Sequence, residues 1–145
     1  MSRVSTYLNF MGTTEEAFDF YSAAFGTEVV PPVTRWGDMP ASPGAPELSE
    51  AERKLIAHID LPILAGHMLI GTDALASRGE TVEAGTNVTI LLEPDTRSEA
   101  DRLYGALSEG AHESTGLQAM PWAYTGTCVD RFGIRWMFNC FERAS

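Results

Sequence analysis

The sequence predicts an α+β protein made of two tandem β-α-β-β-β modules, and three observations support this fold class. A strand–turn–helix pattern occurs twice along the chain at a constant spacing. A strand–turn–strand pattern follows each of the two predicted helices. The length of 145 residues suits one domain with a sizeable core. We therefore expect a single domain over 1–145, with module one over about 1–80 and module two over about 81–145.

The first repeated element is a short apolar strand that leads through a polar turn into a helix. Residues 5–24 read STYLNFMGTTEEAFDFYSAA, and residues 88–107 read VTILLEPDTRSEADRLYGAL. Aligned without gaps, the two segments match at a constant offset of 83 positions. The identical pairs include Thr6–Thr89, Leu8–Leu91, Thr13–Thr96, Glu16–Glu99, Ala17–Ala100, Tyr21–Tyr104 and Ala23–Ala106.

The helical part of each copy has an apolar stripe and end signals. Thr13 and Thr96 are each followed three residues later by a glutamate, which predicts a capping box at each helix start. Gly26 and Gly110 predict the helix ends. The residues that recur at helical spacing are Ala17, Phe20, Tyr21 and Ala24 in the first copy, and Ala100, Leu103, Tyr104 and Leu107 in the second.

The second repeated element is a pair of strands around a tight turn. Residues 55–73 read LIAHIDLPILAGHMLIGTD, with the turn predicted near 65–66. Residues 126–141 read GTCVDRFGIRWMFNCF, with the turn predicted at 131–133. Matching the turn glycines gives an offset of 67 positions, so the first copy carries extra residues before its hairpin.

The remaining segments complete the two modules. Weaker strand patterns occur at 29–34 and 112–117. The extra residues of module one form a loop rich in proline and glycine at 36–52, which reads WGDMPASPGAPELSEAE. Each module is expected to form a curled mixed sheet, with its helix on the outer face and a concave face left for a ligand.

Composition and charge exclude several classes of function. The chain has 10 basic and 20 acidic residues, and a net charge of −10 repels phosphate backbones and anionic lipids. No apolar run reaches the roughly 20 residues that a membrane span requires. The opening residues, MSRVSTYLNF, contain no apolar signal-peptide core. We therefore expect a cytoplasmic protein that binds neither nucleic acid nor membranes.

Four segments, in order, resemble the PhnB-like branch of the vicinal-oxygen-chelate superfamily. They are YLNFMGTTEEAFDFYSAAFG, WGDMP, LIGTDA and DRFGIRWMFNC. This superfamily includes glyoxalases, extradiol dioxygenases and bleomycin-resistance proteins, and duplicated β-α-β-β-β modules are its hallmark. The resemblance implies a small-molecule ligand and a homodimer, since modules of this superfamily commonly pair across chains. Exposed sheet edges also favour pairing.

The resemblance also implies where a metal would be bound. Catalytic members hold a divalent metal with about four His or Glu ligands, from the first and last strands of each module. These positions fall on Thr6, Ile70, Thr89 and Met137, and a shift of one residue brings no His, Asp, Glu or Cys to any of them. Because a divalent cation needs charged or basic donors, we predict neither a metal at this place nor any other cofactor.

The same positions predict an apolar ligand-binding face with a few polar groups. Such a composition is typical of a small-molecule pocket and equally of a filled core. Trp122 and Tyr124, before the final hairpin, would supply an aromatic platform near the cavity mouth. By strand alternation, the other predicted binding residues are Thr6, Leu8, Ile70, Thr72, Thr89, Leu91, Met137 and Asn139.

Two functions remain open at this point. One is a non-catalytic protein that sequesters a small, partly apolar molecule, as bleomycin-resistance members do. The other is a lyase, isomerase or dioxygenase-type enzyme with a relocated or metal-free site that uses His58, His67 and Asp73. Strand alternation aims His67 away from the predicted pocket. Convergence of these three residues in one cavity would support the enzyme.

Other catalytic patterns are missing from the sequence. It contains no GxSxG elbow, P-loop, GxGxxG loop or HExxH motif. Without a glycine-rich nucleotide loop, the methyltransferase label of some PhnB-like relatives does not transfer. Cys128 and Cys140 match neither a redox pair nor a zinc site, so we expect them to be reduced and apolar in role.

Overall fold

The computed structural model describes residues 1–144, and the chain divides into two compact units, Met1–Glu83 and Ala84–Ser145. The α+β class and the presence of two open mixed sheets confirm the predicted fold class. The assignment of the whole chain to one domain stays a prediction. Across the described residues 1–144, none of the helices combines the length and apolar composition that a bilayer crossing needs.

Each unit contains one sheet and one long helix. The first unit contains β1 (Thr6–Phe10), α1 (Thr14–Phe25), β2 (Val30–Arg35), α2 (Glu50–Arg53), β3 (Ile56–Pro62) and β4 (Met68–Asp73). The second unit contains β5 (Ile90–Leu92), α3 (Arg97–Leu107), β6 (Glu113–Ser114), β7 (Gln118–Ala119), β8 (Tyr124–Val129) and β9 (Arg135–Cys140).

In the first unit, α1 packs on one face of a four-stranded sheet. The strand order is β1-β4-β3-β2, with β1 parallel to β4 and the other pairs antiparallel. Gly71 of β4 lies directly under the helix, because a Cβ added there would be 2.5 Å from the ring of Phe18. Leu8 is the register partner of Gly71, so both residues are on the helix side. Phe18 is completely buried in this core.

In the second unit, α3 packs on a sheet of order β5-β9-β8-β6, and β7 also pairs with β8. β5 runs parallel to β9, and Leu92 is the register partner of Phe138. The rings of Phe138 and Tyr104 meet edge to face with centroids 5.3 Å apart, which puts Phe138 on the helix side. Trp136 is also completely buried, and its indole N–H donates to the Asp130 carboxylate at 2.8 Å.

The predicted repeat is confirmed for the helices and for the last strands. The first residues of α1 and α3, Thr14 and Arg97, are 83 positions apart. The bounds of β4 and β9 differ by 67 positions at both ends. The first strands do not keep the predicted offset of 83 positions. Leu8 pairs with Gly71 and Leu92 pairs with the equivalent Phe138, and these two leucines are 84 positions apart. The connection from β5 to α3 is therefore one residue shorter than that from β1 to α1.

The predicted hairpin turns are confirmed, while one weaker strand prediction needs correction. Gly66 and Gly133 adopt φ of 76° and 88° in the two turns, a conformation that glycine adopts at low cost. The strand predicted at 29–34 corresponds to β2. Of the strand predicted at 112–117, only β6 forms, and the short β7 follows it, since Gly116 with φ of 76° interrupts the extended chain between them.

The two helices begin with different caps, although both were predicted to carry a capping box. The Thr96 hydroxyl accepts the backbone N–H of Glu99 at 3.1 Å, which is one half of the predicted box, while the Glu99 carboxylate binds Arg102. Among residues 1–144, no backbone N–H of α1 is capped by the Thr13 hydroxyl. Instead the Asp73 carboxylate accepts the N–H groups of Gly12 and Thr14 at 2.9 and 3.1 Å. The first helix is thus capped from the end of β4.

This difference predicts unequal effects of two equivalent substitutions. Thr96→Ala is expected to lower the free energy of unfolding by about 1 kcal/mol, because the amide of Glu99 loses its acceptor. Thr13→Ala is expected to change it by less than about 0.5 kcal/mol. Chemical denaturation of the two variants and the wild type measures both values. Equal losses in the two variants would contradict the assigned caps.

Candidate functional site

The candidate site is the sheet face that the long helix of each unit leaves uncovered. We call the sheet face opposite α1 the first open face and the sheet face opposite α3 the second open face. Side chains alternate along a strand, and register partners share a face. The first open face therefore carries Tyr7, Asn9, His58, Asp60, Ile70 and Thr72. The second open face carries Thr89, Leu91, Thr125, Thr127, Arg135, Met137 and Asn139.

The predicted placement of the first strand is wrong by one residue. Thr6 and Leu8 were expected to share a face with Ile70 and Thr72. In the structure Leu8 is buried at 7% exposure against α1, and Thr6 is on the same side of β1. The parallel pairing places Tyr7, not Thr6, beside Ile70. A shift of one residue moves every side chain to the other face, and the first-strand position implied by the resemblance was one residue too early in β1.

The remaining predicted strand residues lie on the expected faces. Ile70 and Thr72 are on the first open face, and Thr72 is buried. Leu91, Met137 and Asn139 are on the second open face. Thr89 precedes β5 and lines a cavity on that same face. Whether any of these residues binds a ligand stays a prediction.

The predicted aromatic platform does not form on the second open face. Tyr124 lies on the α3 side of its sheet, where its hydroxyl donates to the Asp101 carboxylate at 2.5 Å. The Arg97 guanidinium lies 4.8 Å from the Tyr124 ring centroid, so Tyr124 packs against the helix. Its hydrogen bond to Asp101 raises the pKa of the phenol. Trp122 is 65% exposed and lines a different cleft, of about 460 Å³, with Met120.

The side chains at the superfamily's metal positions do not fit a divalent metal. On the first open face, Tyr7 and Ile70 are the neighbouring pair in the first and last strands. On the second open face, the equivalent pair is Leu91 and Met137, so Leu91 replaces the predicted Thr89, which precedes β5. None of the four is a carboxylate, imidazole or thiolate donor. In the described part of the chain, 1–144, no three His, Cys, Asp or Glu side chains come together as a metal site.

The three residues proposed for a relocated catalytic site do not converge. His67 hydrogen bonds through Nε2 to the Thr6 hydroxyl at 2.9 Å, on the α1 side. Asp73, with only 1% exposure, is also on the α1 side and accepts the Thr14 hydroxyl at 2.7 Å. His58 is on the first open face. The structure therefore gives Asp73 a role in joining α1 to the sheet.

A different pair of polar residues lies on the first open face. His58 Nε2 is 3.0 Å from Asp60 Oδ1, and the two side chains are 45% and 27% exposed. The residues are two apart on β3, so they share a face. That spacing is visible in the sequence and is the signal that could have identified the pair. An imidazole held beside a carboxylate is a combination that can accept a proton from a substrate.

Three buried side-chain atoms without hydrogen-bond partners all lie on the open faces. Within residues 1–144, they are Asp60 Oδ1, Arg135 Nε and Asn139 Oδ1. The Asp60 atom is near His58, but the contact does not have the geometry of a hydrogen bond. Native proteins contain few such groups, and each one calls for a physical explanation. No sequence pattern signals Arg135, because its Nε becomes buried only in the fold.

The second open face contains a cavity beside Arg135. The cavity has a volume of about 120 Å³ and lies between β6, β8 and β9. Hydroxyl side chains form much of its wall. Glu113 of β6 and Arg135 of β9 are both register partners of Val129 in β8, so they lie in one row of the sheet. The Thr115 hydroxyl is engaged with backbone, since it accepts the amide of Thr127 at 2.9 Å. Thr89, Glu113, Thr127 and Arg135 are among the residues that line the cavity.

The two cysteines are buried and do not form a disulfide. Burial, with a smaller contribution from Asp130, raises the pKa of the Cys128 thiol from 9.0 to about 11. The thiol is therefore protonated at neutral pH, and a protonated thiol is a weak nucleophile. Cys128 does not offer a catalytic thiolate, and it packs as a small apolar residue.

The structural comparisons place the chain among known folds. Protein PA1353 from Pseudomonas aeruginosa is 29% identical, with a TM-score of 0.82, over 99% of this chain and 100% of that one. PhnB protein from Bacillus cereus is 19% identical, with a TM-score of 0.73, over 96% and 99% of the two chains. A glyoxylase/bleomycin resistance protein/dioxygenase domain from Frankia sp. EAN1pec is 11% identical, with a TM-score of 0.63, over 98% and 97%.

No family model and no curated protein matches the chain. The structural matches cover nearly the whole of this chain and of each neighbour. They include the PhnB-like and glyoxalase/bleomycin-resistance groups that the sequence motifs resemble. The chain has the fold of the vicinal-oxygen-chelate superfamily.

Proposed function

We propose that the chain binds a small, partly apolar molecule on an open face of its sheets, without a metal at the superfamily's usual positions. The observation that carries the proposal is the common location of the three unpartnered buried atoms. Asp60, Arg135 and Asn139 all present these atoms on an open face. Apolar side chains lie on the same two faces, as in ligand pockets of small-molecule-binding proteins.

The cost of burying these polar atoms without hydrogen-bond partners favours the binding of a ligand. A buried polar atom without a partner costs about 1–3 kcal/mol relative to a satisfied one. In a helix-side core such a cost would have no compensation, whereas on an open face a bound molecule can supply the missing partner. Each open face also offers its own apolar surface, with Ile70 on the first face and Leu91 and Met137 on the second. Polar atoms then fix the orientation of the ligand, and apolar contacts supply much of its affinity.

Substitution of Asn139 separates binding from stability. Asn139→Leu removes the unpartnered amide at similar volume, so we expect the free energy of unfolding to stay unchanged or rise by about 1 kcal/mol. We expect the affinity for ligands found by a thermal-shift and NMR fragment screen to fall about tenfold or more.

The matched control is Asn87→Leu, at an exposed position outside the strands. It should leave ligand affinity unchanged. A screen without a ligand for the wild type, or full affinity in the Asn139 variant, would contradict the proposed role of the second open face.

A second candidate is a metal-free lyase or isomerase, and the His58–Asp60 pair favours it. The imidazole is half exposed on the first open face and has a carboxylate beside it. Such a base can remove a proton from carbon next to a carbonyl group. We expect, in that case, that ligands from the screen exchange this proton with deuterium from the solvent, followed by NMR. His58→Gln should abolish exchange, and His112→Gln, at an exposed position, should not.

We also propose that the protein is a homodimer. β1 and β5 are outer strands of their sheets, and outer strands present backbone groups to a partner. One copy has a mass of 15.8 kDa. Light scattering coupled to size exclusion should therefore give twice this mass, and a monomer mass at micromolar concentration would contradict the dimer.

A further inference from the structure

The surroundings of Arg135 suggest the chemical class of the ligand. Several arginines of this acidic protein have an oxygen acceptor: Arg35 binds Glu15, Arg102 binds Glu99, Arg131 binds the Glu109 carbonyl, and Arg97 binds the Glu142 carbonyl. Arg135 differs from them, because its Nε is buried and finds no acceptor within residues 1–144. A guanidinium stays charged in proteins, so a buried N–H of this group that has no acceptor is unfavourable.

The position of Arg135 makes this group accessible to a ligand. Arg135 begins β9, two residues before Met137, and is the register partner of Val129. It therefore lies on the second open face and lines the cavity of about 120 Å³. This volume is too small for a drug-sized ligand, which needs roughly 300 Å³ or more. The cavity suits a single polar group at one end of a larger molecule.

The other cavity residues define the charge of that group. Thr89 and Thr127 line the cavity and carry hydroxyl groups that can donate to an oxygen acceptor. Glu113 lines the same cavity from β6, and a second negative charge on the ligand would be repelled by it. The net charge of −10 adds to this repulsion. A single oxyanion group satisfies the guanidinium and limits these unfavourable interactions.

The rest of the second open face gives the arrangement of the remaining ligand. Leu91 and Met137 are adjacent partners next to Arg135 and offer an apolar surface. Asn139 lies two residues beyond Met137, and its buried Oδ1 requires a hydrogen-bond donor. At about 3.3 Å per residue, the Cα atoms of Arg135 and Asn139 are roughly 13 Å apart along β9. A ligand that contacts both is therefore elongated.

We propose that Arg135 binds the single oxyanion group of an elongated organic anion, such as a carboxylate, whose apolar body lies over Leu91 and Met137 and whose far end donates to Asn139. This proposal rests on the proposed binding function and names the ligand class for the second open face. Arg135 is a binding residue in it, and no covalent step is involved.

The test uses matched pairs of compounds on the full chain. Aryl-alkyl carboxylates, their neutral amides and the corresponding amines are titrated against the wild type, and binding is followed by protein NMR. We expect the carboxylates to bind and the amides to bind about tenfold more weakly or worse, as for a lost charge-assisted hydrogen bond. Signals of Leu91, Met137 and Asn139 should shift on binding.

Two variants assign the effect to Arg135. Arg135→Met keeps the apolar stem, and Arg135→Gln is a second variant in case the first fails to fold. Each should weaken carboxylate binding about tenfold or more and remove the preference over the amide. Arg102→Met makes the same charge change on α3, where Arg102 pairs with Glu99, and should bind carboxylates like the wild type.

The outcomes separate this inference from the proposed function. If only amides or amines bind the second open face, or if both Arg135 variants retain carboxylate affinity, the oxyanion inference is wrong and the binding function stands. If no compound of any charge class binds the wild type, both are wrong.

Discussion

Asp73→Ala is expected to lower the free energy of unfolding by about 3–5 kcal/mol. The carboxylate is almost fully buried and accepts hydrogen bonds from Gly12 N, Thr14 N, the Thr14 hydroxyl and Ile56 N, at 2.7 to 3.1 Å. Alanine would leave these donors without an acceptor, in a region that water does not reach. The start of α1 and the first amide of β3 would both lose their attachment to β4. Chemical denaturation followed by circular dichroism measures the loss.

Two further variants make this result specific. Asp73→Asn should give an intermediate loss of about 2 kcal/mol, because the amide keeps one acceptor oxygen but turns a donor toward other donors. Asp19→Ala makes the same charge change on the exposed side of α1 and should alter stability by less than about 0.5 kcal/mol. An Asp73→Ala protein as stable as the Asp19→Ala protein would contradict the assigned cap.

Gly71→Ala is expected to destabilise the first unit by about 3 kcal/mol. A methyl group at this position would lie 2.5 and 2.7 Å from two ring atoms of Phe18 and 3.0 Å from a methyl group of Thr14. Phe18 and Thr14 are completely buried, so neither can move aside without disturbing its neighbours. The helix would have to separate from the sheet. Thermal and chemical denaturation should both report the loss.

The matched control is Gly105→Ala, in the interior of α3. A Cβ at Gly105 meets nothing within 4 Å, and the residue has ordinary helical geometry. Alanine there should raise the free energy of unfolding by about 0.5–1 kcal/mol, because it restricts the unfolded chain and favours the helix. A Gly71→Ala protein that gains stability in the same way would contradict the close contact of α1 with β4.

The elements that depend on local patterns were predictable from the sequence. The starts of α1 and α3 follow from helical periodicity and from the repeat, and their separation of 83 positions is confirmed. The last strands, β4 and β9, and their turns at Gly66 and Gly133 follow from apolar runs broken by glycine. In each case the signal lies within a short stretch of chain, which is where sequence reasoning is most dependable.

The features that were missed depend on contacts far apart in the sequence. The face of β1 is set by parallel pairing with β4, and a connection shorter by one residue in the second unit misaligned the repeat there. Thr6 and Leu8 were assigned to the wrong face because the resemblance placed the first-strand position one residue too early in β1. Asp73 caps α1 across 59 positions of sequence, and no local pattern signals such a bond.

The candidate site was predictable where it depends on the alternation of side chains along a strand. Ile70 and Met137 lie on the open faces, as predicted, because the well-defined hairpins fix the alternation of side chains along β4 and β9. The position of Tyr124 on the helix side was missed, because the turn-rich sequence before β8 does not show where that strand begins. The unpartnered atoms of Asp60, Arg135 and Asn139 require knowledge of burial, which only the folded chain provides.

The central claim is that the open faces bind their ligand through side chains, without a metal at the superfamily's usual positions. Elemental mass spectrometry of the untagged protein, purified without chelators, tests it most directly. The side chains at these positions, Tyr7, Ile70, Leu91 and Met137, predict less than about a tenth of an equivalent of zinc, nickel, manganese or iron. Near-stoichiometric metal would contradict the claim and make a metal-dependent enzyme the leading interpretation.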